Sequence, residues 1–238
     1  MNEEKKKHQK EKARQIIERL KRFNRKERDH LVKLAYCEDP KEPRITKNLW
    51  EELVGPNTDI PPSADLFIGM DYHINWLYAA LATANVKGDL RNGQWQNGSQ
   101  SKRNETQMPI QGNQEDVDLL VSWIDPDNSR LKMCLVEAKL ESGWSSSQLI
   151  SKRKRLALML QEAENELKKA EKDPGLDFVD FYFFLCSPKK PEKWNLSWPQ
   201  LGFEERWNVK FFNFESQENL LHVKRVSKDS TEWQILGK

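Results

Sequence analysis

The sequence has no long apolar run, few cysteines and little net charge, and each of these absences narrows what the chain can be. No segment approaches the roughly 20 apolar residues that a membrane-spanning helix requires. The first residues are charged, so we expect neither a secretory signal nor a membrane partner. Cys37, Cys134 and Cys186 are odd in number, far apart and without metal-ligand spacing. We therefore expect reduced thiols in a cytoplasmic protein.

The net charge is only +2 over 238 residues, so overall charge gives no indication of a nucleic-acid partner. The basic residues are nevertheless placed unevenly. Residues 1–29 contain twelve Lys or Arg against six Asp or Glu. Local patches of this kind can bind phosphate whatever the total charge is. A second basic cluster supplies further candidates for phosphate contacts, namely Lys152, Arg153 and Arg155; the alternative is that they lie on a solvated helix face.

The chain does contain enough apolar bulk for a core, with 37% hydrophobic residues, nine Trp and ten Phe. Residues 1–12 are too polar to pack, and we expect them to be frayed. Apolar residues recur with helical spacing from Ala13 and again around residues 31–35, and a short helix then ends at Gly55-Pro56. We predict a charged helical N-terminal region over residues 1–62 and an α/β domain over residues 63–238.

The pattern after residue 62 predicts a sheet with helices on it. Residues 71–86 are predicted to form one apolar helix with Asp71 at its start, where a carboxylate is favoured. Residues 87–115 are predicted to form a long polar loop with one short strand near Met108–Ile110. The pattern then predicts strands 117–124 and 131–139 joined by a turn, a helix over 145–172, a strand over 177–186, and short strands near 207–214, 220–226 and 232–236. This order indicates an α/β fold with a central sheet flanked by helices.

The predicted hairpin brings charged residues together. If its turn spans residues 125–130, opposed residues have numbers that sum to 255, so Asp118 faces Glu137 and Asp116 faces Lys139. All four side chains then share one face at the open end of two apolar strands. Opposed carboxylates repel, and burial increases the penalty. A divalent cation between Asp118 and Glu137 would remove it, and Mg²⁺ prefers such hard oxygen ligands, with Mn²⁺ as a substitute.

The hairpin also admits a simpler interpretation. Glu137 and Lys139 are compatible with a solvated strand end at which Asp116 and Lys139 form a weak surface ion pair. The opposed Asp118, the apolar strands and the helix that follows favour a functional site instead. In that case Lys139 would hold or deprotonate the attacking water, or stabilise charge in the transition state.

These residues resemble the PD-(D/E)xK nuclease superfamily. The resembling motifs are Asp118-Leu-Leu-Val, a short turn, Leu135-Val-Glu137-Ala-Lys139, and a long helix that begins near Ser146-Ser-Gln148-Leu. The resemblance covers about residues 68–186. It implies a restriction-endonuclease-like core with a mixed β-sheet, in the order helix, three strands, helix and fourth strand.

The resemblance also implies roles for individual residues. Asp118, Glu137 and the backbone carbonyl of Ala138 would ligate the metal, and Lys139 would be the catalytic lysine. Family members often add an acidic residue from the preceding helix, and Asp71 is the acidic candidate here because residues 71–86 contain no Glu. The proline that often precedes the first Asp is also absent, since Val117 stands there.

Two further alternatives concern Gln148 and the function itself. Gln148 would lie near the metal in a catalytic role, or close a capping box with Ser145 at the helix start. The chain is expected to be a metal-dependent nuclease that hydrolyses phosphodiester bonds in DNA, with RNA as the open alternative substrate. The alternative is a non-catalytic module that binds nucleic acid or protein. A homodimer or a partner protein is compatible with either function.

Overall fold

A computed structural model describes residues 3–37, 39, 44–86, 90, 93, 110, 115–140, 146–169, 175–188, 207–214, 221–227 and 231–237. Its centre is a five-stranded mixed sheet whose strands lie in chain order. The second strand runs antiparallel to both the first and the third, and the last two run parallel to the third. The strands are β1 (Leu66–His73), β2 (Asp116–Ile124), β3 (Leu131–Ala138), β4 (Val179–Cys186) and β5 (Trp207–Phe212). The predicted α/β class, with a mixed sheet and flanking helices, is confirmed.

Helices cover both faces of the sheet. They are α1 (Glu3–Phe23), α2 (Glu27–Tyr36), α3 (Lys47–Val54), α4 (Ile74–Ala82) and α5 (Ser146–Lys168). One core cluster joins α1, α4 and α5 to the face that includes Leu120 and Met133. A second cluster joins Trp50 and Leu53 of α3 to the opposite face. Because both faces are apolar and covered, β2 and β3 are central strands, as the sequence predicts.

The N-terminal helix begins earlier than expected. The prediction that residues 1–12 are frayed is wrong for residues 3–12, which form the first part of α1. Gln9 and Lys12 are buried there, and the Lys12 ammonium lies 5.4 Å from the centre of the Phe178 ring. Long polar side chains can pack their stems on a core while their heads stay near polar or aromatic groups. The proposed boundary at residue 62 stays a prediction, although α1 contributes Ile16 and Leu20 to the main core.

The predicted helix over residues 71–86 is also partly wrong. Residues 71–73 complete β1, with Tyr72 opposite Val117 and His73 opposite Asp116, and α4 ends at Ala82. Pairing along the sheet therefore outweighs the apolar pattern that favoured a helix. Asp71 lies near the end of a strand and not at a helix start.

Asp71 marks an irregularity in β1. It adopts a left-handed backbone conformation, with φ of 48°, which a residue other than glycine rarely adopts. Beyond it, Tyr72 returns to the face that carries Phe67, and the two rings pack edge to face. Gly69 lies beneath them, where a Cβ atom would be 2.7 Å from the Phe67 ring. The strand thus changes its side-chain alternation just before it ends.

The predicted hairpin register is confirmed. Each recorded pair of β2 and β3, from Leu119 with Val136 to Ile124 with Leu131, sums to 255. The turn closes with a 2.9 Å hydrogen bond from the Asp125 amide to the Arg130 carbonyl. The helix and strand predicted after the hairpin are present as α5 and β4.

The C-terminal strands form two groups. The strands predicted near residues 207–214, 220–226 and 232–236 are present, and the first of them joins the main sheet as β5. The other two, β6 (Leu221–Arg225) and β7 (Trp233–Gly237), form a separate antiparallel pair. The short strand expected near residues 108–110 lies almost entirely outside the described residues.

The state of the cysteines and the length of the apolar helices test the expectation of reduced thiols and of no membrane-spanning segment. Cys37, Cys134 and Cys186 are all free thiols. None of the helices in the described part of the chain has both the length and the apolar content that a membrane crossing requires. The cytoplasmic location stays a prediction.

Candidate active site

The candidate site lies where the two central antiparallel strands separate. The last recorded pair of β2 and β3 is Leu119 with Val136. Beyond it, β2 continues along β1 as far as Asp116, and β3 continues along β4 as far as Ala138. Asp118 and Glu137 occupy the first position past that last pair, at the mouth of the gap between the strands.

Asp118 closes one side of the gap. Its Oδ2 accepts a 2.7 Å hydrogen bond from the backbone N–H of Ala138, in place of a ladder bond between the strands. The N–H and C=O of one residue in an antiparallel ladder point to the same neighbouring strand. The Ala138 carbonyl is therefore directed towards the same gap as its N–H. Asp118 remains partly accessible to solvent.

Glu137 closes the other side and is only 5% exposed. Burial raises its pKa to about 7, and repulsion from Asp118 adds to this increase, while an ion pair with Lys152 opposes it. The two carboxylates are therefore near enough to repel each other. The cost of burying the ionised carboxylate therefore outweighs its attraction to the nearby lysines.

Lys152 supplies that lysine, although the sequence predicts it as a phosphate contact. Its Nζ donates to Glu137 Oε1 at 2.5 Å and to the Asp116 backbone carbonyl at 2.6 Å. It follows Gln148 by four residues, so the two positions lie on the same face of α5. That spacing is the sequence signal that could have placed Lys152 in the site.

Lys139 approaches Glu137 from the end of β3. Its backbone N–H donates to the Cys186 carbonyl at 2.9 Å, and its charge lowers the pKa of Glu137. Among the described residues, no ion pair joins Lys139 to Asp116. The Asp116 carboxylate instead accepts from Lys26 Nζ at 2.6 Å and contacts the Nδ1 atom of His73. The surface ion pair considered in the simpler interpretation is therefore not formed.

Asp71 lies beside the site. The β1–β2 register places it across from Asp118, although these two residues do not form a ladder pair. Its carboxylate accepts a 3.3 Å hydrogen bond from Arg28. Sparsely populated backbone conformations concentrate at functional sites, and Asp71 has one. Its part in metal binding stays a prediction.

The other two predicted phosphate contacts are inside the protein. Arg153 and Arg155 are both buried. Arg155 donates to Glu115 at 3.0 Å and to Asn75 at 2.6 Å, so it ties α5 to α4 and to the residue before β2. The structure does not bring either side chain to the surface. Gln148 belongs to the first turn of α5, and its side chain lies outside the described residues.

The donor atoms at the gap suit a small, hard cation. Asp118, Glu137 and the Ala138 carbonyl offer oxygen only, which is what Mg²⁺ prefers. The described residues contain no group of three or more His, Cys, Asp and Glu side chains arranged to hold a metal. Two carboxylates are nevertheless a usual number for Mg²⁺, which keeps water and phosphate oxygens in its other positions.

Comparison with protein-family models, with curated proteins and with solved structures gave no match. The resemblance to the PD-(D/E)xK superfamily therefore depends on the residues and geometry described above.

Replacing Glu137 with glutamine should stabilise the metal-free protein above pH 7. Burial raises the pKa of Glu137 from 4.5 to about 7, so the folded protein holds this proton more tightly than the unfolded chain does. The stability from that proton is complete below pH 4.5 and is lost as the pH rises through about 7. Glutamine does not ionise, so the variant keeps this stability above pH 7. Its free energy of unfolding should then exceed that of the wild type by up to about 3 kcal/mol.

Denaturant unfolding in EDTA across this pH range measures the difference. Asp127→Asn, in the exposed hairpin turn, removes a carboxylate without relieving burial and serves as the control. A difference between Glu137→Gln and the wild type that does not change with pH would contradict the expectation.

Proposed function

We propose that the chain is a Mg²⁺-dependent phosphodiesterase that cleaves nucleic acid, DNA in the first place, with a site of the PD-(D/E)xK type. One observation carries the proposal. Asp118 and Glu137 lie at the gap where the central strands separate, with Lys139 and Lys152 both acting on Glu137. A hairpin that served only as scaffold would gain nothing from two repelling carboxylates at this point.

The order of elements supports the proposal. Strands β1 to β3, helix α5 and strand β4 follow one another as a restriction-endonuclease-like core requires. The chain departs from that order by the short helix α4 between β1 and β2. α4 packs against α5 and α1, so it adds to one helical layer and leaves the sheet order unchanged.

The proposed chemistry assigns a task to each group. Asp118, Glu137 and the Ala138 carbonyl would hold Mg²⁺ or Mn²⁺, which, when bound, would polarise a phosphate oxygen and acidify a water molecule. Glu137 would act in its ionised form, and Lys152 favours that form by pairing with it. Lys139 would position the attacking water and stabilise the charge that develops on the phosphate.

A second candidate is a binding module without catalysis. The observation that favours it is the contact between Lys152 and Glu137, which satisfies the buried carboxylate with no metal. On this view the ion pair is structural, and the fold binds nucleic acid or protein through other surfaces. The intact set of Asp118, Glu137 and Lys139 favours the enzyme.

Metal should stabilise the wild type and support cleavage, and Asp118→Asn should reduce both effects. A ligand that binds only the folded state raises the melting temperature, and the variant loses a charged ligand. The assay uses plasmid, linear duplex and single-stranded DNA, and RNA, each with Mg²⁺, Mn²⁺ or EDTA. Asp127→Asn is the matched control. Equal metal shifts in the wild type and Asp118→Asn would place the metal elsewhere, and no cleavage of any substrate by the wild type would favour the binding module.

A further inference from the structure

The segment between α1 and α2 reaches the candidate site from the edge of the sheet. We refer to residues 22–28 as the α1–α2 junction. Lys26 Nζ lies 2.6 Å from an Asp116 carboxylate oxygen, and an Arg28 guanidinium nitrogen lies 3.3 Å from the Asp71 carboxylate. Asp71 stands across from Asp118 in the register, and Asp116 precedes Asp118 by two residues. The junction therefore borders the gap on its β1 side.

A buried polar network fixes the junction in place. Asp29 is 1% exposed and accepts hydrogen bonds from the Met70 amide at 2.9 Å, Asn24 Nδ2 at 2.6 Å and Lys33 Nζ at 2.6 Å. Lys33 also donates to the Ile68 carbonyl at 2.8 Å. Helix α2 is thus attached through polar side chains to the backbone of the edge strand β1. These buried charged hydrogen bonds fix the backbone of the junction, and so they fix the positions from which its exposed side chains extend.

The junction carries exposed positive charge beside the carboxylates of Asp71 and Asp116. Arg25 is exposed, and the Arg28 side chain is 84% exposed despite its contact with Asp71. An ion pair this exposed contributes little free energy, so the Arg28 guanidinium remains available to an anion. By contrast, Arg153 and Arg155 are buried.

We infer that the α1–α2 junction binds the phosphodiester backbone of a nucleic acid beside the phosphate that is cleaved, through Arg25 and Arg28. The planar guanidinium donates two parallel hydrogen bonds to phosphate oxygens. Consecutive phosphates of one strand of duplex DNA advance by about 3.4 Å along the axis. A strand with one phosphate at the gap therefore has neighbouring phosphates beside the α1–α2 junction. The inference rests on the proposed function, because it takes the substrate to be the nucleic acid cleaved at Asp118 and Glu137.

The double variant Arg25→Ala/Arg28→Ala should bind a short fluorescein-labelled DNA duplex roughly tenfold or more weakly at low salt. The plot of log affinity against log salt should become less steep by roughly 2, since two phosphate contacts are lost. Fluorescence anisotropy in EDTA measures binding while cleavage is suppressed. Arg44→Ala/Lys47→Ala is the matched control, because it removes the same charge from two exposed positions, one just before α3 and one at its first residue, on the opposite face of the sheet. The control should change neither quantity.

Two further arms define the ligand and the role of charge. Arg25→Lys/Arg28→Lys should retain most of the DNA binding. The melting temperatures of the lysine and alanine variants should both stay near that of the wild type, because neither variant changes the Asp29 network. Duplex RNA and single strands of either kind show which nucleic acid binds best. A loss of affinity on every probe supports backbone binding. A loss confined to one base sequence overturns it, because arginine on phosphate carries no sequence information.

The result also separates this inference from the proposed function. Binding that depends on Arg25 and Arg28 in a protein that cleaves nothing would support the junction and overturn the nuclease. If the wild type cleaves with metal but Arg25→Ala/Arg28→Ala binds DNA as tightly as the wild type does, the inference about the junction is wrong and the proposed nuclease function is retained. The same conclusion follows if the Arg44→Ala/Lys47→Ala control loses as much affinity.

Discussion

Replacing Lys139 with alanine should reduce cleavage by about a hundredfold or more while the fold, metal binding and nucleic-acid binding persist. An ammonium group cannot ligate a metal, and the ion pair with Asp116 that would have made Lys139 structural is not formed among the described residues. Its effect on Glu137 places its charge near the gap. A group that acts mainly in the transition state changes turnover more than substrate binding. Single-turnover cleavage and anisotropy on the same DNA give the two quantities.

Two companion variants make the result specific. Lys154→Ala removes an exposed lysine from α5 and should cleave like the wild type. Glu137→Ala should lose cleavage together with the metal-induced rise in melting temperature, whereas Lys139→Ala should keep that rise. Full cleavage by Lys139→Ala would remove the residue from the mechanism. Equal losses of binding and cleavage would make it a substrate contact instead.

The hairpin register could be predicted because two independent constraints agree. A polar turn sequence between two apolar strands fixes which residues oppose each other, and alternation then fixes which side chains share a face. The sequence therefore predicts the observed pairs from Leu119 with Val136 onward, and it places Asp118 and Glu137 at the next position beyond them. The end of the β2–β3 ladder at that point was not predictable, because it depends on where β2 pairs with β1 and β3 pairs with β4, which are distant in the sequence.

The boundary between β1 and α4 shows a limit of apolar periodicity. Residues 71–86 have a helical apolar pattern, yet their first three residues belong to β1, where Tyr72 and His73 pair with β2. That pairing spans more than 40 residues of sequence and leaves no local signal in the pattern. The left-handed conformation of Asp71, which ends the regular alternation, is likewise set by this pairing and by the packing of Tyr72.

Helix α2 shows that a correct period does not identify the buried face. The apolar spacing around residues 31–35 correctly predicts a helix, but Leu31 and Leu34 are exposed. The helix is attached through Asp29 and Lys33, whose hydrogen bonds to β1 could not be inferred from spacing. The same reasoning applies to the basic cluster of α5, where helical geometry directs Lys152 to the gap and buries Arg153 and Arg155.

Lys152→Met should lower the stability of the metal-free protein and enlarge the stabilisation that metal provides. The Lys152 side chain is 17% exposed and that of Glu137 is 7% exposed, so the variant leaves a nearly buried carboxylate without its main partner. Breaking such a pair costs about 3 kcal/mol, which for a chain of this size lowers the melting temperature by about 6–12 °C. A metal ion at Glu137 would no longer have to displace an ammonium group. The measurement is a melting curve with and without Mg²⁺ or Mn²⁺, well above the wild-type Glu137 pKa of about 7.

The comparison distinguishes a counter-ion from a scaffold lysine. Lys154→Met, two residues along α5 and exposed, should change neither the metal-free melting temperature nor the metal shift. Glu137→Gln/Lys152→Met should lose less stability than Lys152→Met alone, because removing the carboxylate also removes the unpaired charge. If Lys152→Met melts like the wild type without metal, the contact with Glu137 contributes little. If it is destabilised but metal restores nothing, Lys152 is a structural partner of Glu137, and the gap between β2 and β3 is not where the metal binds.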